Sequence, residues 1–185
     1  MDRIKVVISP DGGSCIFLAM LLLLLPLKWV IAALIAILVH EACHSVAIWL
    51  LGGRIYHFRI GVKGMQMETD PLPPGRGVIA AFAGPVGSAM LILFAKWMPR
   101  TAVCGMVHCI YNLLPLFPLD GGRILGHVID LCLPASIGMR VFALSQRIFR
   151  WWLMLVCFVG ALRWGAPFLV IGAVILWQQI EARTV

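Results

Sequence analysis

Long apolar blocks broken by short polar punctuation run through this chain. They fall at about 14–27, 29–51, 77–98, 101–119, 148–162 and 165–180. A helix needs about 20 apolar residues to cross a bilayer. The pattern predicts six membrane helices, or five if the short first block is set aside. Leu21–Leu25 gives that block little alternative to a membrane helix. It has no clear cleavage-site pattern, and apolar blocks continue toward the C-terminus, so Cys15–Leu27 is expected to be retained and not removed as a signal. The expected fold class is an all-α polytopic membrane protein, one core domain over residues 1–185, with a small β-sheet or hairpin at the membrane surface.

Two segments follow a period of two instead. In residues 2–8, Arg3 and Lys5 alternate with Ile4, Val6 and Ile8, and Asp11-Gly12-Gly13 then turns the chain. Between Gly53 and Gly75, Tyr56, Phe58, Ile60 and Val62 alternate with His57, Arg59, Gly61 and Lys63. Gly64 allows a turn before Met65-Gln66-Met67, which predicts a β-hairpin with one apolar face. Asp70–Gly75 is a rigid, proline-rich loop into the third helix.

Composition agrees with the blocks. The chain is 62% hydrophobic and 12% charged, whereas soluble domains average roughly 45–50% and about 25%. The net charge of +7 does not point to nucleic acid, because the basic residues flank apolar spans and form no stripe. With six helices, Lys28, Lys96, Arg100 and Arg163 fall on one side and the other eleven of 15 basic residues on the side of both termini. The positive-inside rule then puts both termini in the cytoplasm, and the expected location is a bacterial cell membrane. Trp29, Trp97, Trp151, Trp152, Trp164 and Trp177 lie near span ends, as an interfacial belt would. The six cysteines form no C-x-x-C pair and imply no disulfide framework.

Against this apolar background, His40-Glu41-Ala42-Cys43-His44 stands out. A helix turns about 100° per residue, so the two imidazoles lie about 40° apart, one turn apart on one face. That spacing lets both grip one metal ion. Glu41, rotated about 100° from His40, can reach a water at the metal without competing as a ligand. Its task would be to take the water's proton and pass it to a leaving amine. Placing an ionisable group at mid-membrane costs about 2.5–3.5 kcal/mol on insertion scales, so such groups are functional by default.

A catalytic zinc site usually takes three protein ligands and keeps one position open. Of the eight acids, only Asp120 and Asp130 follow deep apolar sequence. Asp120 ranks first. It closes the fourth block, Pro115 and Pro118 break the helix before it, and Gly121-Gly122 permits close backbone approach after it. Irregular backbone at membrane depth is tolerated where it lines a cavity. Asp130 is expected to meet a basic or polar neighbour near the interface.

His40–His44, then Gly84-Pro85-Val86-Gly87-Ser88, then Asn112-Leu113-Leu114-Pro115-Leu116-Phe117-Pro118-Leu119-Asp120-Gly121-Gly122 resemble, in order and spacing, the motifs of the site-2 protease (peptidase M50) family of intramembrane metalloproteases. The subgroup containing stage IV sporulation protein FB is the most similar, and no PDZ or CBS domain is expected here. Ser88 stands where many members have Asn. The resemblance implies one zinc ion per chain held by His40, His44 and Asp120, with Glu41 as general base and Asn112 orienting substrate or the site. For Asn112 an interhelical hydrogen bond is the alternative. Iron or cobalt would also suit these ligands.

The expected function is a zinc-dependent intramembrane endopeptidase that cuts membrane-tethered proteins near the cytoplasmic face, as in regulated release of transcription factors. Its partners are that substrate and the lipid bilayer, with room for a membrane regulator or a second copy. Two rivals stand beside it. In a metal or ion transporter Glu41 has no clear task, and no repeat symmetry appears. A catalytically inactive membrane-binding homologue would not need the complete set of His40, Glu41, His44 and Asp120. The edge of the hairpin could also take an unwound substrate as an added strand. His108 shares a helix face with Asn112, His57 is expected at the surface, and His127 is expected to pair with Arg123 one turn away.

Overall fold

The two period-two segments meet. In the computed structural model, β1 (Lys5–Ile8), β2 (Ile55–Gly61) and β3 (Gly64–Thr69) form a three-stranded sheet in the order β1-β2-β3. The structure describes residues 5–8, 25–61 and 64–165. β2 and β3 are the expected hairpin, antiparallel, with Phe58 opposite Met67 and Ile60 opposite Met65. β1 pairs with β2 in parallel, Lys5 opposite His57 through Ile8 opposite Ile60. Parallel strands need a long crossover, and the intervening chain includes the first long helix. β2 is therefore the central strand. Among the described residues the hairpin's unpaired edge is that of β3, not of the 55–61 strand.

The chain divides into two units, Met1–Leu113 and Leu114–Val185. In the first, α1 (Leu27–Leu50), α2 (Pro74–Met90) and α3 (Pro99–Asn112) pack against one another, with a 3₁₀ turn at Leu91–Phe94 extending α2. Pro26 and Pro73 immediately precede α1 and α2. α1 ends where Gly52 takes φ 80°. Its N–H then reaches the Trp49 carbonyl and that of Gly53 reaches Ile48, the paired bonds of a Schellman cap. Arg76 donates to the Leu51 carbonyl at 3.1 Å and ties α2 to that end.

The distribution of side chains is the inverse of a soluble protein's. Ala32, Ala36, His40, His44 and Ile48 recur every fourth residue on α1, and all are buried. Leu27, Ile31, Leu34 and Leu38 recur at helical spacing on another face and are exposed. On α2 the buried residues are Gly77, Ala80, Ala81, Gly84, Pro85, Gly87 and Ser88, while Ile79, Phe82, Val86 and Met90 face outward. Small residues let backbones approach where lipid, not water, solvates the large ones. At Gly87, for instance, an added Cβ would collide with Cys43 Sγ on α1.

The second unit holds α4 (Asp120–Cys132) and α5 (Ala135–Trp164), packed together. Neither has the extent the apolar blocks predict. α4 was hidden because Arg123, His127 and Asp130 interrupt its apolar residues. α5 starts 13 residues before the 148–162 block, since Arg140, Gln146 and Arg147 break hydropathy without breaking the helix. The 101–119 block yields α3 of only 14 residues, about 21 Å long, before Pro115 and Pro118 intervene.

Among the described residues three helical stretches are long and apolar enough to cross a membrane: Leu27–Leu50, Pro74–Phe94 and Ala135–Arg163. Most of the expected 14–27 block and nearly all of the 165–180 block lie outside the described residues, as do Val62 and Lys63 of the hairpin.

Candidate metal centre

His40 and His44 sit mid-helix on the buried line of α1, 2% and 4% exposed. Their Nε2 atoms face each other at 3.1 Å, and the rings stand edge to face, 4.7 Å between centroids. Each ring is held from behind by α2. The Nδ1 of His44 lies 2.8 Å from the Ala80 carbonyl oxygen. A carbonyl only accepts, so this nitrogen carries the proton and the Nε2 of neutral His44 presents a lone pair. The Nδ1 of His40 lies 2.9 Å from Ser88 Oγ, which is wholly buried. With Nδ1–H donating to the hydroxyl, His40 also presents a lone pair at Nε2. Two facing nitrogens at 3.1 Å need a shared proton or a metal cation between them, and this tautomer leaves the place to the metal.

The opposing backbone leaves the space a cation needs. A Cβ at Gly84 of α2 would overlap His44 Nε2, and would lie 2.7 Å from His40 Nε2 and 2.6 Å from His44 Cε1. Gly84 is thus a cradle facing both nitrogens. Neutral imidazoles oriented by acceptors on Nδ1 are the usual donors for a borderline-soft divalent ion. The residues of this unit fit a metal.

Glu41 lies on α1 beside His40, off the buried line and half-buried. The Ser45 hydroxyl donates to the Glu41 carbonyl at 2.8 Å and touches Met67 Sδ of β3 at 3.3 Å, so the sheet is tied to α1 one turn from Glu41. His108 of α3 stacks edge to face on His40, centroids 4.5 Å apart. The Asn112 amide donates to the His108 carbonyl one turn back at 3.0 Å, a bond within its own helix and not the interhelical one considered above. His57 of β2 lies 3.4 Å from Glu68 of β3, a cross-strand pair that gains charge when His57 is protonated.

In the second unit Asp120 is the first residue of α4 and 5% exposed. The free N–H groups and dipole of a helix start favour a carboxylate there. Its neighbour is Arg123, with Nη1 4.0 Å from Oδ1. Arg123 therefore lies toward Asp120, and the expected pairing with His127 is not what the structure shows. The Leu114–Leu119 turn before it holds a cis Phe117–Pro118 bond. Gly122 meets this turn so closely that a Cβ would lie 2.7 Å from the Leu116 oxygen. Asp130 is exposed on α4.

Three groups here escaped sequence reasoning. Ala80 acts through its backbone, which no side-chain pattern reveals. Ser88 lay in a motif already singled out, but its bond to His40 depends on how α1 and α2 pack. Gln146 of α5 is buried, accepts from the Phe117 N–H at 2.8 Å and donates to the Pro115 carbonyl at 3.1 Å. It clamps the turn that delivers Asp120. A glutamine inside an apolar helix was the available signal.

A family model described as Peptidase M50B-like matches residues 14–119. None of the curated proteins matches the chain. Among solved structures, the site-2 protease from Methanocaldococcus jannaschii has a similar fold, with a TM-score of 0.72 and 17% identity over 100% of this chain and 94% of that one.

Proposed function

The chain belongs to the Peptidase M50B-like family of membrane metalloendopeptidases, and on that premise we propose that it cuts membrane-tethered proteins with one zinc ion held by His40, His44 and Asp120. The observation that carries this reading is the pair of buried imidazoles, Nε2 to Nε2 at 3.1 Å, each fixed from behind and facing a glycine. Zinc there would supply Lewis acidity toward a scissile carbonyl and an attacking water. Glu41 takes the water's proton and delivers it to the leaving amine. Asp120 contributes the negative charge and third donor. Its burial at a helix start supports it over exposed Asp130. Asn112 orients the substrate or the site, its amide turned by the bond to His108. The motifs favour the stage IV sporulation protein FB subgroup, and the basic residues favour termini and cleavage on the cytoplasmic side.

Because Ser88 fixes the ring of one ligand, Ser88→Ala is expected to weaken metal binding about 10–100-fold. Ser88→Thr, which keeps the hydroxyl, should restore most of it. Competition against a chelator of known affinity measures both. Equal affinity in all three proteins would remove Ser88 from the site.

A helical substrate shields its amides, so cleavage needs an extended segment. The edge of β3, tied to α1 through Ser45 and Met67, is proposed to receive it as a fourth strand. Successive N–H groups of an edge strand point alternately to its partner and outward. Proline scanned through Met65, Gln66, Met67 and Glu68 should therefore alternate. At outward positions it should lower cleavage several-fold with metal content intact; at inward positions it should also disturb the sheet. Uniform, wild-type cleavage at all four would reject strand addition.

A further inference from the structure

A second site lies at the other end of α1. Lys28 is twelve residues before His40, about 18 Å along the helix, so the metal centre is not involved. A cavity of about 240 Å³ opens there between the first turns of α1 and the start of α3. Lys28, Ile31 and Ile35 line it from α1; Trp97, Arg100 and Thr101 line it from the other side. None of its lining residues is acidic. Among the described residues no carboxylate pairs with Lys28 or Arg100. The Arg100 guanidinium is instead held over the Trp29 ring, 6.0 Å from its centroid, which orients the charge without neutralising it.

Two further features share this place. α3 begins at Pro99 with no side-chain cap and no acid in its first turn, so its positive dipole end is uncompensated. Thr101, 4% exposed, is among the residues that line the cavity. Apart from Lys28, Arg100 and Thr101 the lining is apolar, with Ile31 and Trp97 exposed. A matching ligand carries an anion at one end and hydrocarbon at the other. A free phosphate would leave the isoleucine wall unused. A zwitterionic lipid would bring an amine to a site already holding two cations.

We propose that this cavity binds an anionic phospholipid, with its phosphate between Lys28 and Arg100 and an acyl chain along Ile31 and Ile35. The headgroup would bridge α1 and α3. It would neutralise two like charges that line one cavity, and Trp29 and Trp97 lie near the ends of candidate membrane spans, where tryptophan is enriched. A cation near a membrane surface is worth about fivefold in anionic lipid binding, so the two together give roughly 25- to 30-fold.

The test uses the full chain in phosphatidylcholine nanodiscs with small additions of phosphatidylglycerol, and native mass spectrometry to count lipids retained. The wild type should retain phosphatidylglycerol over phosphatidylcholine by about 25-fold. Lys28→Gln with Arg100→Gln should abolish the preference while zinc content stays unchanged, confirming the fold. Arg163→Gln, at an exposed position on α5, should behave as wild type. Preference retained in the double variant overturns the proposal. So does equal loss in Arg163→Gln, which would mean a diffuse basic belt. Displacement of the lipid by millimolar glycerol 3-phosphate would make this a phosphate site and overturn the lipid assignment.

Discussion

Glu41→Gln is expected to keep the metal and to lower cleavage of a membrane-tethered substrate by about 100- to 10,000-fold, the usual worth of a positioned general base. Glutamine has nearly the shape of glutamate, so α1 and its buried face should be undisturbed. What it lacks is the ability to accept a proton. Glu41 is off the line of His40 and His44 and is half-buried beside it, which suits a group that meets water but does not ligate. The experiment pairs two readouts on one purified preparation: metal per chain by elemental analysis and product formation from a reporter in the same bilayer. Loss of metal along with activity would reassign Glu41 to holding the ion. An active variant would remove it as the base.

Gly84→Ala should do the opposite and empty the site. Its methyl group would overlap His44 Nε2 and sit 2.7 Å from His40 Nε2. Neither ring can retreat cheaply, since Ser88 holds one and the Ala80 carbonyl the other. Overpacking a tight site costs about 1–3 kcal/mol, and blocking both nitrogens adds to it. Metal affinity should fall by about 100-fold, the upper end of what loss of ligand orientation costs, and cleavage should fall with it. Gly75→Ala is the control, because a Cβ there meets nothing within 4 Å. Metal binding at wild-type strength in Gly84→Ala would mean that the nitrogens do not face this glycine in the working enzyme.

Much of this was legible before any coordinates. His40 and His44 at i and i+4 share a face for any α-helix, so the apolar block around them was enough to pair them. The strand at Lys5–Ile8 and the hairpin at Ile55–Thr69 followed from period two. The parallel pairing of β1 with β2 did not, because strand order is set by a crossover and not by either strand's own pattern. That order puts β2 in the middle and leaves the hairpin's outer edge on β3, so the proline scan visits Met65–Glu68. α4 was missed for a related reason. An amphipathic helix with Arg123, His127 and Asp130 has no continuous apolar block, and only a neighbour such as α5 reveals which face it buries.

The sequence by itself determined the candidate chemistry of this protein: two imidazoles and a carboxylate in an apolar helix, an aspartate after a proline-broken segment, and an apolar composition that suits a membrane. These follow from residue type and local periodicity, which neighbours in space do not alter. Only the tertiary structure decided what holds that chemistry in place. Ser88 and the Ala80 carbonyl behind the imidazoles, Gly84 in front of them, and Gln146 on the Pro115–Phe117 turn act across helix contacts between residues 29 to 48 positions apart. Such contacts depend on the register of one helix against another, which is chosen by packing small residues together and not written in any one segment.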